Sequence, residues 1–371
     1  MNIVASCEQK PETRVALTPS VVRHYQSLGH QVFLEQGAGE LSGFSDQMYE
    51  ACDVSVDKPK SILSTANVLL SVNVPTKNTL KYLAPNTLII SQFENDESAI
   101  IDYCLANQLS LINMKLMPRI SRAQNMDTLS SQSNLAGYKA VLMAVNAFQR
   151  VVPMMMTAAG MIHPAKVLIL GAGVAGLQAI ATAKRIGAAV YAFDVRRAAK
   201  EQVESLSAEF VEVSDEDMEG EGGYAGEASD AYKQKQAALI HEHAQQADMI
   251  ITTALIPNRP APILIQEETV RAMKPGSVIV DMATARGGNC ALSENDKVVV
   301  KHGVTIMGYS NLAGLVPATA SELYANNLLQ LVKLISDDGQ IKLNADDTVL
   351  QHTLICHQGQ TMPFMREEQP A

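Results

Sequence analysis

A short apolar run that ends in three spaced glycines constrains this chain more than any other stretch. Val167 to Leu170 has the length and β-branched content of a buried parallel strand. A G-x-G-x-x-G pattern follows, in which the first glycine permits a tight turn and the second lets backbone approach a pyrophosphate. The third lets the next helix pack closely on the strand. We therefore predict a dinucleotide-binding turn formed by Gly171, Ala172, Gly173, Val174, Ala175 and Gly176.

An acidic residue follows this turn at a suitable distance. A helix over residues 177–186 and a second strand over 189–193 lead to Asp194, about 20 residues beyond the last glycine. A carboxylate here accepts hydrogen bonds from ribose hydroxyls and repels a 2′-phosphate, which favours NAD(H) over NADP(H). Arg196 and Arg197 come next and can pair with a phosphate, so NADP(H) stays open. A purely structural turn is the alternative to dinucleotide binding.

Length and composition limit the other possibilities. The chain has 371 residues, 47% hydrophobic, enough for two domains with separate cores. The net charge of −10, without a basic cluster, disfavours nucleic acid and anionic membranes as partners. Five scattered cysteines without a C-x-x-C favour a reducing compartment and predict neither disulfides nor a metal site. No signal peptide or membrane span is predicted.

Strand and helix patterns alternate along the chain. This predicts an α/β protein of two Rossmann-like domains with parallel sheets, the first completed by the C-terminal segment. The predicted boundaries are 1–133 plus 318–371 for the first domain and 134–317 for the dinucleotide-binding domain. Tyr138 to Phe148 is expected to be the helix that crosses between them, and Met154 to Met156 to fill a core.

The segment Pro118 to Gly137, PRISRAQNMDTLSSQSNLAG, is unusually polar. Such density beside an apolar helix is typical of a loop that holds a ligand or partner, although a capped, solvated connection explains it equally well. Residues 214–229 are acidic and rich in glycine, with a single aromatic residue, Tyr224. We interpret them as a lid over a ligand, with a disordered spacer as the alternative.

Strand ends in the second domain are expected to face the dinucleotide, because ligands bind at the carboxyl edge of open α/β sheets. The residues concerned are Thr253, Ala254, Leu255, Asp281 and the turn at Gly287, Gly288 and Asn289.

Three stretches together resemble one family. They are RISRAQNMDTLSSQSNLAGY (119–138), GAGVAGLQAIATAKRIGAAVYAFDVR (171–196), and TTALIPNRPAPILI (252–265) followed by MKPGSVIVDMATARGGNC (273–290). They are similar to the alanine dehydrogenase/transhydrogenase family, and within it to the NAD(H)-binding component of proton-translocating NAD(P)+ transhydrogenase. The resemblance covers roughly residues 1 to 335.

The resemblance implies roles for individual residues. Arg119, Gln124 and Asp127 match the loop that brings the two nicotinamides together, and Ser130 matches a contact on the nicotinamide side. Tyr224 matches the tyrosine of the family's mobile loop, and Asp194 the ribose-binding acid. The implied nucleotide contacts also include Asn134, Val195, Arg196, Thr253, Ala254 and Leu255.

The resemblance also implies an activity, namely hydride transfer between NADH and NADP+, of the Si-specific/Re-face-coupled proton-translocating type. NADP(H) is expected on a partner component, and protons are expected to pass through a separate membrane component. The chain itself is expected to be a soluble cytoplasmic homodimer, attached to the inner membrane only through these partners.

Alanine dehydrogenase is the nearest rival. Arg14 matches that enzyme's carboxylate-binding arginine, but Asn73 replaces its lysine, Ala285 replaces its aspartate, and SQFENDES (91–98) lacks its histidine. Those losses would remove acid–base catalysis, which hydride transfer between two nicotinamides does not need. An NAD(H)-binding regulator without catalytic activity is a further alternative.

Overall fold

A computed structural model describes residues 1–93, 98–213, 230–256 and 259–362 of the chain. Two compact units are present, one comprising Met1–Gln132 with Gly314–Ala371 and the other Ser133–Ala313. The strands in chain order are β1 (Asn2–Ala5), β2 (Gln31–Glu35), β3 (Ser55–Asp57), β4 (Val68–Asn73), β5 (Leu88–Gln92), β6 (Ser110–Asn113), β7 (Met155–Thr157), β8 (Gly160–Ile162), β9 (Lys166–Leu170), β10 (Ala189–Phe193), β11 (Glu209–Phe210), β12 (Met249–Thr252), β13 (Val278–Asp281), β14 (Val298–Lys301), β15 (Val304–Met307), β16 (Ser336–Asp337), β17 (Gln340–Ile341), β18 (Leu354–His357) and β19 (Gln360–Thr361).

The α-helices connect these strands. In chain order they are α1 (Pro19–Ser27), α2 (Asp46–Glu50), α3 (Pro59–Leu63), α4 (Lys77–Leu80), α5 (Ser98–Ala106), α6 (Thr128–Ala147), α7 (Val174–Arg185), α8 (Ala199–Ser205), α9 (Asp230–Gln246), α10 (Glu267–Ala272), α11 (Pro317–Ile335) and α12 (Thr348–Thr353). Within the described ranges, no helix is both long enough and apolar enough to cross a membrane.

The first unit is built on an eight-stranded sheet of order β19-β18-β6-β5-β4-β1-β2-β3. Strands β1 to β6 are mutually parallel, and β18 pairs antiparallel with β6. The C-terminal segment therefore completes this sheet, as predicted from the sequence. Strands β4 and β5 are buried almost throughout, because apolar clusters cover both faces of the sheet.

The second unit carries a seven-stranded sheet of order β11-β10-β9-β12-β13-β15-β14. Its neighbouring strands are parallel except at β14, an antiparallel edge strand that was not predicted from the sequence. The chain leaves β9 toward β10 on one side and returns to β12 on the other, which creates a topological switch point between β9 and β12. The predicted fold class, two Rossmann-like domains with mainly parallel sheets, is confirmed.

Helix α6 begins ten residues earlier than predicted, at Thr128 instead of Tyr138. The polar stretch before Tyr138 is therefore largely helical, since Asp127 accepts a hydrogen bond from the backbone N–H of Ser130 and caps the first turn. Gly137 lies in this helix because a Cβ there would approach the carbonyl oxygen of Ala175 to 2.0 Å. Only glycine permits this contact between α6 and the start of α7.

The methionine run differs from its expected role. Met154, Met155 and Met156 are 63%, 44% and 80% exposed, so they do not fill a core. Met155 and Met156 belong to the hairpin of β7 and β8, whose residues are all exposed. Met161 and Ile162 on the second strand add further exposed apolar surface. A two-stranded hairpin of this kind is typical of a surface that another chain covers.

Candidate functional site

The glycine-rich turn lies where the fold predicts a ligand site, at the carboxyl end of β9 beside β12. Gly171 has a φ of +103°, in the left-handed region that glycine adopts without strain. A Cβ on Gly171 would also lie 2.5 Å from the Thr253 Oγ1. Thr253 donates that hydroxyl to the Gly171 carbonyl at 3.1 Å, so the loop after β12 is fastened to the turn after β9.

The other two glycines have separate reasons. A Cβ on Gly176 would lie 1.8 Å from the Gly171 carbonyl oxygen, so its absence lets α7 pack against the turn. A Cβ on Gly173 would meet no atom of the described residues within 4 Å. Packing among these residues therefore does not explain Gly173, whereas the approach of a ligand to its backbone does.

The N-terminus of α7 is suited to an anion. The N-cap of this twelve-residue helix is Gly173, which has no side-chain oxygen to accept hydrogen bonds from the first-turn N–H groups. Those N–H groups and the helix dipole attract negative charge, as in other dinucleotide-binding turns. Val174 is 42% exposed beside this end, and Ala175 is partly buried. The residues present therefore fit the pyrophosphate of a dinucleotide.

Asp194 follows β10 directly, and its carboxylate is 6% exposed. Its Oδ2 accepts a hydrogen bond from the backbone N–H of Ala172 at 2.7 Å, which connects the acid directly to the glycine turn. The Arg196 side chain forms a two-pronged ion pair with the same carboxylate, through Nε at 2.9 Å and Nη2 at 2.9 Å. Val195 lies between them and packs on the core. The structure thus brings Asp194, Arg196 and the turn together.

The loop after β12 is shaped by residues that were expected to face the cofactor. Asn289 is fully buried and accepts the Ala254 N–H at 3.1 Å while donating to the Ala254 and Pro262 carbonyls. Asp281 is fully buried and accepts five hydrogen bonds, from Thr252, Ala283, Asn289, Cys290 and Ser293. These two side chains are consumed by the protein and hold the loop, on which Leu255 is 49% exposed.

The candidate catalytic residues lie in the first unit, in and beside a 3-10 turn over Ser121–Met126. Ser130 donates its hydroxyl to Asp127 at 2.5 Å, so these two residues contact each other and cap α6. Arg119 and Gln124 are exposed. Asn134, which belongs to the second unit, is exposed on α6. Tyr224 lies outside the described residues, as does the rest of the segment interpreted as a lid.

Residues of the C-terminal segment hold this turn in place. Arg122 donates to both oxygens of Asp347 at 2.9 and 2.7 Å, and Asp347 also caps α12 through the Val349 N–H. Asn327 of α11 donates to the Asn125 carbonyl at 2.8 Å. Arg122 belongs to the polar stretch that favoured a ligand-binding loop, but the structure uses it to anchor the turn.

A buried ionic network lies at the switch point of the first sheet, between β1 and β4. Glu12 and Arg14 form a two-pronged ion pair, with Nε at 2.8 Å and Nη2 at 2.7 Å, and both are nearly inaccessible. Arg14 also donates to Gln132 at 2.8 Å, and the Asn73 amide donates to Glu12 at 3.1 Å. Burial alone raises the pKa of Glu12, but the hydrogen bonds and charge of Arg14 outweigh it and lower this pKa to about 2.

The fold and the glycine turn define a protein of the dinucleotide-binding α/β class. Two family models match, described as "Alanine dehydrogenase/PNT, N-terminal domain" over residues 4–136 and "Alanine dehydrogenase/PNT, C-terminal domain" over residues 140–363. The chain therefore belongs to the alanine dehydrogenase/PNT family.

Individual relatives give the same assignment. The first of the separate segments of NAD(P) transhydrogenase subunit alpha in Rhodospirillum rubrum is 44% identical over 372 residues, covering 97% of each chain. The crystal structure of transhydrogenase from Sinorhizobium meliloti has a TM-score of 0.88 at 43% identity, covering 97% of this chain and 100% of that one. An L-alanine dehydrogenase structure has a TM-score of 0.81 at 26% identity, covering 99% and 98%.

The different roles of Gly173 and Gly176 lead to a prediction. Gly173→Ala is expected to keep the thermal stability of the protein and to weaken NADH binding by roughly tenfold, or about 1.4 kcal/mol, because the methyl group points into space left for the ligand. Gly176→Ala is the matched control. Alanine normally stabilises a helix by up to about 1 kcal/mol relative to glycine, yet here the 1.8 Å approach should lower the melting temperature. Fluorescence titration and thermal melts together measure both effects, and normal NADH affinity in Gly173→Ala would contradict this assignment.

The ionic network predicts a pH dependence of stability. The pKa of Glu12 is about 2 in the folded state against an ordinary 4.5, so its stabilisation is present above pH 4.5 and is lost as the pH falls toward 2. Glu12→Gln should lower the free energy of unfolding at neutral pH by roughly 3 kcal/mol, because Arg14 would remain buried without its partner. Urea unfolding should show this deficit shrinking toward about pH 3. Glu50→Gln, exposed on α2, is the control, and a pH-independent deficit would argue against the ion pair.

Proposed function

We propose that this chain is the NAD(H)-binding component of a proton-translocating transhydrogenase, which exchanges a hydride with NADP(H) held on a partner component. The observation that carries the proposal is the side chain at position 73. Asn73 stands where the resemblance places the lysine of alanine dehydrogenase, and its amide is hydrogen-bonded to Glu12. An amide does not titrate, so this position supplies no acid or base for work on an amino acid.

The surroundings of Arg14 support the same conclusion. Its guanidinium is engaged by Glu12 along one edge and by Gln132 at Nη1. A substrate carboxylate would have to compete with a buried ion pair for this arginine. In the second unit, Ala285 stands where the resemblance places the aspartate of alanine dehydrogenase, and it provides no proton either.

The chain's own residues have proposed roles in holding NAD(H). The Gly171–Gly176 turn and the start of α7 bind the pyrophosphate, Asp194 accepts the ribose hydroxyls, and the loop at Ala254 and Leu255 covers an apolar part of the nucleotide. The bound nicotinamide supplies the hydride donor or acceptor. Following the resemblance, Arg119, Gln124, Asp127 and Ser130 orient the nicotinamide, and Asn134, Val195, Arg196, Thr253 and Tyr224 contribute further contacts. Transfer between two rings depends on their orientation and on the exclusion of water.

The proposed partners follow from the resemblance and from the names of the relatives. NADP(H) is bound by a second component, and a membrane component carries the protons. This chain is thereby held at the inner membrane on its cytoplasmic side. We also propose a homodimer, which the exposed apolar hairpin of β7 and β8 supports.

Reconstitution tests the activity. The purified chain mixed with an NADP(H)-binding transhydrogenase component is expected to reduce an NAD+ analogue at the expense of NADPH. Gln124→Asn should slow this transfer by on the order of 100-fold, as a small misplacement of reacting groups does, with NADH affinity nearly unchanged. A large loss of affinity would mean that Gln124 binds the nucleotide instead of orienting it.

Two controls separate the alternatives. Turnover of L-alanine with NAD+ by the chain alone would favour an amino-acid dehydrogenase. NADH binding without any transfer in the reconstituted mixture would favour a regulator without catalytic activity.

The dimer is tested by changing the hairpin. Met156 is 80% exposed, and Met156→Asp should shift the molecular mass measured by light scattering from dimer to monomer, because burying a charge in an apolar interface is costly. Met48→Asp, on α2 at 45% exposure, is the matched control and should leave the mass unchanged. A Met156→Asp protein that remains dimeric would exclude this hairpin from the interface.

A further inference from the structure

The carboxylate of Asp194 is already fully engaged by the protein. Its Oδ1 accepts the Arg196 backbone N–H at 2.9 Å and the Arg196 Nε at 2.9 Å. Its Oδ2 accepts the Ala172 N–H at 2.7 Å and the Arg196 Nη2 at 2.9 Å. An ionised carboxylate has about four lone-pair sites, so these donors use all of them.

A ribose needs some of the same sites. Two of the four donors are backbone groups that belong to the glycine turn and to the end of β10, and displacing them would distort the turn. The other two belong to the Arg196 guanidinium, whose side chain is 23% exposed and reaches the carboxylate from the solvent side. The guanidinium is thus the one of these four-donor partners that can leave by a change of rotamer.

We infer that Arg196 is a specificity-determining residue, which competes with the ribose hydroxyls for Asp194 and thereby limits both the affinity for NADH and the discrimination against NADPH. The inference rests on the proposed NAD(H)-binding function. Arg196 occupies the acceptor in the free protein and releases it when the ribose binds, so part of the binding free energy is used to break the ion pair.

The same cation affects the choice between nucleotides. A bare Asp194 carboxylate repels the 2′-phosphate of NADPH, whereas one neutralised by Arg196 repels it less. Removing the cation should therefore strengthen NADH binding and weaken NADPH binding. Loss of a direct contact from Arg196 to either nucleotide would instead weaken the binding of that nucleotide.

A neighbouring arginine provides a matched control. Arg197 lies one position further along the chain, is 49% exposed at its side chain, and pairs with Glu212 at 3.7 Å. Arg197→Met changes the net charge by the same amount as Arg196→Met, and neither methionine can donate a hydrogen bond from its side chain. Differences between the two variants therefore report on the Asp194 pairing and not on overall charge.

The experiment measures dissociation constants for NADH and NADPH by fluorescence titration, with thermal melts in parallel. Arg196→Met is expected to bind NADH about 5-fold tighter, the upper range for a partly exposed ion pair, and NADPH more weakly than the wild type does. Arg197→Met should alter NADH affinity by less than about twofold. The melts should show a lower melting temperature for free Arg196→Met, and a larger rise on adding NADH than in the wild type.

The outcomes are distinguishable. NADH affinity in Arg196→Met that equals or falls below that of Arg197→Met would overturn the competition. If Arg196→Met does not fold, Arg196→Lys replaces the two-pronged contact with a single ammonium, and unchanged or weaker NADH binding in that variant would overturn it equally. A wild-type protein that does not bind NADH would instead refute the proposed function.

Discussion

The close contact between Gly176 and the carbonyl of Gly171 is the constraint on which the nucleotide site depends. It places the first turn of α7 directly on the end of β9, so that the helix N–H groups and the turn share one small region. Thr253 extends this contact to β12 by donating to the same carbonyl. Gly137 repeats the device from another side, because α6 approaches the backbone of Ala175 as closely. Three segments distant in sequence thus meet through backbone contacts that side chains would prevent.

Buried carboxylates then determine the shape of the surroundings. Asp281 collects five donors from the loops that follow β12 and β13, and Glu12 neutralises Arg14 in the other unit. Burying such charges is costly unless every oxygen is satisfied, so each carboxylate imposes one arrangement on the loops around it. Asp194 differs from these two, because its ion pair with Arg196 is partly exposed and can open. A structural carboxylate and a ligand-binding carboxylate are separated here by the accessibility of their partners.

Much of the fold was predictable from the sequence because apolar runs and glycine spacing report local backbone demands. Val167 to Leu170 and the following glycines identify the strand and the turn without knowledge of any distant residue. The predicted start of α6 was wrong because serines and asparagines favour loops in isolation, whereas Asp127 caps the helix at its true beginning. The exposure of Met156 was missed since an apolar run alone does not reveal whether another chain covers it.

The site was predictable only in part, for a similar reason. The glycines and Asp194 follow from spacing within one βαβ unit. The use of Arg122 by Asp347, and of Asp281 by five donors, joins residues far apart in the chain, and no local pattern encodes such pairs. Polar residues near a predicted site therefore divide into ligand-binding and structural ones only when their partners are known.

Segments from both sides of the nucleotide-binding unit meet in the first unit, which affects the order in which the protein is made. The N-terminal ammonium of Met1 donates to the Gly339 carbonyl, and β18 supplies a neighbour to β6. Residues 133–313 are contiguous and contain every described strand of their own sheet. During vectorial synthesis the nucleotide-binding unit can therefore acquire its complete sheet while the ribosome is still translating, whereas the first six strands must wait until β18 has emerged before their sheet loses its open edge.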